Sequence, residues 1–194
     1  MGLELITAPE EYPVTLEEAK LHCAVDTDIT ELDTHFSDIW IPAATQQAEQ
    51  RTGRKLITQT WKVTREAFPA SAISLPYPKL QAVNSIKYLD PDGVLQTMDP
   101  ADYQVVTDEL IGFVMPAYGK SWPGTRCYPG AVRIEFVSGF GAATAVPQSI
   151  KNWMLMALGT WYSNREGVVT GTIVSDLPRD FFAALLDPYV IPRM

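Results

Sequence analysis

The sequence predicts an α+β chain. A small α-helical bundle from the N- and C-terminal thirds (residues 1–54 and 141–194) carries an inserted antiparallel β region (55–140). Three observations predict it. In the outer thirds, apolar residues recur at spacings of three and four, the helical period. In the middle third, β-branched and aromatic residues fall in short runs between turn sequences. The pattern changes at glycines: Gly53 at one boundary, Gly139 and Gly141 at the other.

The first helix is announced by TLEEAKLH. Thr15 is an N-cap residue, and Glu18 three positions on completes a capping box. Pro13 ends any earlier helix. In the next helical pattern Ile29, Leu32, Phe36, Ile39 and Trp40 share a stripe, with Asp28 as expected N-cap and Glu31 as its box partner. Pro42 is expected to kink or split this helix, since proline removes a donor and clashes with the preceding turn. Gly53 is the natural stop in the left-handed position, with Arg51, Arg54 and Lys55 at the negative end of the dipole.

The middle third reads as strands. KLITQTWKVTREAF is β-branched and aromatic. SIKYLDPDGVLQTM is two strands joined by DPDG, where Pro91 presets φ and Gly93 accepts positive φ. DYQVVTDELIGFVMP forms a second hairpin turning near Asp108 and Glu109. In AVRIEFVSGFG, Val132, Ile134 and Phe136 alternate with Arg133 and Glu135, as a strand with one buried face requires. The proline-rich segment 116–130 fits none of these elements.

The last third returns to helix. Pro147 suits a first helical position. Ile150, Met154, Ala157, Leu158 and Trp161 form a stripe that Trp153 and Tyr162 broaden, which implies burial on more than one side. Gly159 within it points to a close helix approach. After GVVTGTIVSD, LPRDFFAALLD reads as a short helix and PYVIPRM as an extended tail.

Composition excludes several classes. The 194 residues are 46% hydrophobic and 20% charged, ordinary for a globular chain. A net charge of −8 opposes general nucleic-acid binding, which needs a basic footprint to displace counterions. The longest apolar block, WMLMALGTWY, is half the ~20 residues that span a bilayer, and the N-terminus lacks a basic n-region, so no membrane association or export is expected. The two cysteines, Cys23 and Cys127, have no metal or redox spacing. They are expected as buried or partly buried thiols in a reducing compartment.

No catalytic, cofactor or metal constellation emerges. His22 and Cys23 are neighbours on a helix and point ~100° apart, so they do not face each other. His35 is expected as a partly buried packing residue. DTDITELDTH lacks the glycine and glutamate of a calcium loop, and GFGAATAVP lacks the residues of a phosphate loop. A rival reading is a small-ligand or enzymatic domain whose pocket is lined by Trp61, Trp122 and Trp161.

Three segments in order carry a resemblance: TLEEAKLHCAVD, QAEQRTGRKLITQTWKV and VPQSIKNWMLMALGTWYSNRE. Together they resemble the head–tail connector (adaptor) proteins of long-tailed double-stranded DNA phages and of gene transfer agents. The resemblance implies a structural virion protein of the neck, made in the host cytoplasm, and not an enzyme. It implies a dodecameric ring beneath the portal protein, with a tail or stopper protein below. DNA would pass through the ring's channel without specific binding. It also implies portal contact through the C-terminal region.

The residues suggest where such contacts fall. Trp40, Trp153 and Trp161 lie on helices too few to bury every aromatic, so they are expected in inter-subunit packing, where aromatics are enriched. Phe181, Phe182, Leu185 and Leu186 recur at one-turn spacing. Tyr189, Val190 and Ile191 follow in a proline-bounded apolar tail. These seven are expected to dock on the portal or a neighbour. On a ring's inner wall, Asp and Glu are expected to outnumber Lys and Arg.

Overall fold

A computed structural model of the chain describes residues 2–108, 110–164 and 183–192. It divides into two compact units: Met1–Glu10 with Thr58–Phe140, and Glu11–Ile57 with Gly141–Met194.

The first unit is made of sheet. Strand β1 (Gly2–Thr7), β2 (Gln59–Arg65), β4 (Leu80–Leu89), β5 (Leu95–Thr97) and β8 (Val132–Ser138) form a five-stranded sheet in the order β1-β2-β8-β4-β5. Strands β3 (Ile73–Leu75), β6 (Tyr103–Thr107) and β7 (Gly112–Pro116) form a second, ordered β3-β7-β6. All pairings between these strands are antiparallel.

Strand β8 is the spine of the larger sheet. Val132, Ile134 and Phe136 are fully buried while Arg133 is exposed, the alternation of a one-sided strand. Ile134 lies opposite Val63 on one neighbour and Ile86 on the other. Ile73, Leu75, Leu80, Met98, Tyr103 and Val114 complete this core. Each large aliphatic or aromatic side chain so buried contributes roughly 1.5–3 kcal/mol of transfer free energy.

The expected hairpins form. Asp90 and Val94 close the β4–β5 turn (Asp90 N to Val94 O, 3.0 Å), and Asp108 N donates to Ile111 O at 3.0 Å in the β6–β7 turn. The proline-rich segment is pinned to this unit. The Trp122 ring stacks on Phe68 at 4.7 Å, its Nε1 donates to Ser71 O, and Arg126 N donates to Leu89 O.

The second unit holds the helices. Helix α1 (Leu16–His22) carries the capping box, with Glu18 N donating to Thr15 Oγ1 and Thr15 N to Glu18 Oε2. A continuous run follows: α2 (Asp33–His35), a π-helical turn (Phe36–Trp40) and α3 (Ile41–Thr52). The π turn is how the helix accommodates Pro42, at the start of α3, without breaking; it is a single wide turn of the kind that proteins use as an insertion. Helix α4 (Gln148–Ser163) buries Ile150, Trp153, Met154 and Leu158. His22 of α1 lies against Gly159, where an added Cβ would meet Nε2 at 3.3 Å, so the absent side chain lets α1 and α4 approach.

The expectation of a helical bundle carrying a β insertion is overturned. Among the described residues, eight strands in two antiparallel sheets outweigh the helical stretches 16–22, 33–52 and 148–163. The N-terminal third is not all helix: GLELIT is an edge strand paired along β2. Leu3 and Leu5 alternate with Glu4, the strand period, but the segment is short and gains its partner only from residues some sixty positions on.

Smaller expectations also shift. Asp28 does not cap a helix; α2 begins at Asp33 with no side-chain cap. His35 is exposed rather than partly buried. Cys23 is half-buried but Cys127 is exposed. Pro147 sits at the N-cap, one position before the first helical residue, where its carbonyl accepts from Ile150 N and Lys151 N.

Candidate functional site

Among the described residues no group of three or more His, Cys, Asp or Glu side chains could hold a metal ion. The aromatic-pocket reading needs Trp61, Trp122 and Trp161 together. Trp61 packs on Tyr77 and Trp122 on Phe68 in the first unit, while Trp161 belongs to the second. The rings of Trp61 and Trp122 therefore have separate partners. His22 is exposed, and burial pushes the Cys23 thiol above its ordinary pKa, the opposite of an activated nucleophile.

The features that stand out are surfaces. The first is the aromatic end of the second unit. Trp40 meets His35 and Phe36 edge-on, both at 4.9 Å, and Tyr162 edge-on at 6.3 Å. Trp161 joins Trp40, His35 and Leu32 in lining a cleft of about 320 Å³. Trp40 and Trp161 are half-buried. Trp153 is 4% exposed, with the Arg51 guanidinium over its ring at 5.3 Å.

The second surface is the C-terminal segment. Phe181 and Phe182 lie outside the described residues. Leu185 is half-buried, lining a cleft of about 480 Å³ with Val14 and Leu155, and Leu186 is 2% exposed. Beyond them the chain turns through Asp187–Tyr189 and runs to the end of α3. Ile191 N donates to Thr52 O at 2.9 Å, and Arg54 Nε donates to Tyr189 O at 2.6 Å. Gly53, in the left-handed conformation (φ 72°), ends the helix and leaves the Ile191 side chain room beside it. The tail thus supplies a donor to a helix-end carbonyl that would otherwise lack one. Tyr189 and Ile191 are half-buried, and Val190 is 39% exposed.

The third is the β1 edge, which the sequence reading passed over. All six residues are exposed, including Leu3, Leu5 and Ile6. The alternation in GLELIT was the signal that could have found it.

No protein-family model and no curated protein matches this chain. Solved structures do match it over its whole length. A chain in the neck of an empty gene transfer agent (GTA) particle, computed with C6 symmetry, shares the fold with a TM-score of 0.81. Identity is 22%, and the match covers 100% of this chain and 97% of that one. A chain in the virion of a native GTA particle matches at TM-score 0.78 and 22% identity, and one in the neck of a native GTA particle, computed with C12 symmetry, at 0.73 and 21%. Both cover 100% of this chain and 97% of their own. At such identities the likeness is one of fold.

Proposed function

We propose that this chain is a structural protein of the neck of a phage-like particle: a head–tail connector (adaptor) that forms a ring under the portal and continues the DNA channel toward the tail. The observation that carries this is the full-length correspondence, at TM-score 0.81, with a chain of a GTA particle neck. The match spans both units and nearly all of the other chain rather than one common module. The symmetry of those necks, C6 and C12, favours a homo-oligomeric ring of this chain.

The chemistry agrees with a scaffold. The chain presents exposed apolar and aromatic surfaces, and it works by assembly rather than by catalysis. Its charge suits a DNA conduit. The chain carries a net charge of −8. An acidic wall repels phosphate and lets DNA pass without holding it.

Electron microscopy of particles that contain the chain tests the reading. A ring of this chain between portal and tail is expected. Density for it in the capsid shell or at the tail tip, or its absence from the particle, rejects the reading.

A further inference from the structure

We propose that the β1 edge of one copy receives strand β6 of the next copy, so that the two sheets join across the subunit boundary. The inference rests on the ring reading above. Strand β1 has a partner on one side only, at the edge of the five-stranded sheet. An edge strand presents outward-facing N–H and C=O groups, and proteins guard such edges with lysine, proline, short length or a covering element. Here six residues in succession are exposed. They include Leu3 at 38%, Leu5 at 42% and Ile6 at 43%, and the sequence GLELIT contains no lysine or proline. Its single charge, Glu4, is neutralised by Lys62 across the strand pair at 2.7 Å. The edge is apolar and electrically quiet, and it is regular from Gly2 to Leu5, with one irregularity in its pairing to β2 between Leu5 and Thr7.

Ring geometry decides what can cover it. Pairing β1 with β1 of a second copy is isologous and closes at a dimer, whereas a ring needs a heterologous contact between two different surfaces. The other described edges are β5, β3 and β6. Strands β5 and β3 have three residues each, too few to match β1. Strand β6 has five, YQVVT, again without lysine or proline and without any charge to oppose Glu4. Val105 on it is 36% exposed. Main-chain bonds would supply affinity, and the apolar side chains would supply register.

Two variants and their mixture test this. Leu5→Lys with Ile6→Lys blocks the β1 edge; Val105→Lys blocks the β6 edge. Sedimentation across a concentration series, with circular dichroism as the check on folding, is expected to show a higher oligomer for the unaltered chain and monomers for each variant. Mixed one to one, the variants are expected to give heterodimers and nothing larger, since each retains one competent edge. Oligomers unaffected by either variant, or a Val105→Lys chain that assembles normally, overturn the inference while leaving the ring reading intact. An unaltered chain that stays monomeric throughout and forms no ring in the particle overturns both. Should the β1 variant fail to fold, amide hydrogen exchange on the unaltered chain reads the same edges. Joint protection of β1 and β6 amides on assembly supports the pairing, and unchanged exchange in either strand overturns it.

Discussion

The ammonium of Lys20 lies 2.8 Å from Asp33 Oδ1, inside a loop whose carbonyls it also holds: Thr27 O at 3.0 Å and Ile29 O at 2.7 Å. An ammonium has three donors, and all three are matched. Lys20 is 3% exposed. The stretch DTDITELD, which superficially resembles a cation-binding loop, is thus wrapped around a cation after all, one supplied by helix α1.

Replacing Lys20 should therefore loosen the whole connection between α1 and α2. Lys20→Ala leaves two carbonyls and a carboxylate without their donor, and a loss of about 2–4 kcal/mol is expected. Asp33→Asn keeps an acceptor but leaves the buried ammonium without its counter-charge, so it should also destabilise, by about 1–3 kcal/mol and less than Lys20→Ala. Denaturant unfolding of both variants checks the order. Equal losses would mean that the ion pair alone, not the carbonyl cage, holds the loop.

The two thiols should separate in an alkylation series. Cys127 is exposed, whereas Cys23 is half-buried with its pKa raised by burial. Only the thiolate reacts, so Cys23 needs a higher pH than an ordinary thiol as well as access. Peptide mapping after brief treatment with iodoacetamide near neutral pH should find Cys127 modified first, by an order of magnitude or more in rate.

The β4–β5 turn should be acid-sensitive. The Gln96 side chain, then the Val94 amide, hydrogen-bond the Asp90 carboxylate and hold its pKa below the usual value. A depressed pKa stabilises the fold above the unfolded-state value, roughly 3.9, and that contribution is lost as pH falls through the lower folded-state value. The Val94 amide resonance should follow this titration below about pH 4, and Asp90→Asn should abolish it.

Where pattern is local, the sequence was readable. The Thr15–Glu18 box, the alternation through Val132, Ile134 and Phe136, and the stop at Gly53 each depend on residues a few positions apart, and each is found in the structure. What was missed depends on distant partners. β1 is a strand because β2 receives it, and the loop before α2 is set by Lys20, not by the Asp28 cap its own residues suggest. The weight of helical stripes in the outer thirds hid how much of the architecture is sheet. For the surfaces, the sequence pointed to the apolar tail and to Trp40, Trp153 and Trp161; Trp40 and Trp161 are half-buried and Trp153 is 4% exposed. It gave no hint that Trp153 would be occupied by Arg51.

The tail's role can now be tested without unfolding what it supports. Removing residues 188–194 takes the donor from Thr52 O and the acceptor from Arg54 Nε. Arg54 is 3% exposed, so its guanidinium would lose a buried partner. A loss of about 1–3 kcal/mol in stability is expected from such groups. Any fall in portal binding by the truncated chain would then mix docking with stability. Val190 separates the two. It is 39% exposed, and surface substitutions of that kind usually shift stability by about 0.5 kcal/mol or less. Val190→Asp should leave the thermal midpoint nearly unchanged. If the tail meets the portal, a charge placed there must be desolvated against an apolar groove, and co-sedimentation with portal rings should weaken at least tenfold. Undiminished binding by Val190→Asp, together with a destabilised truncation, would make the tail a brace for α3 alone.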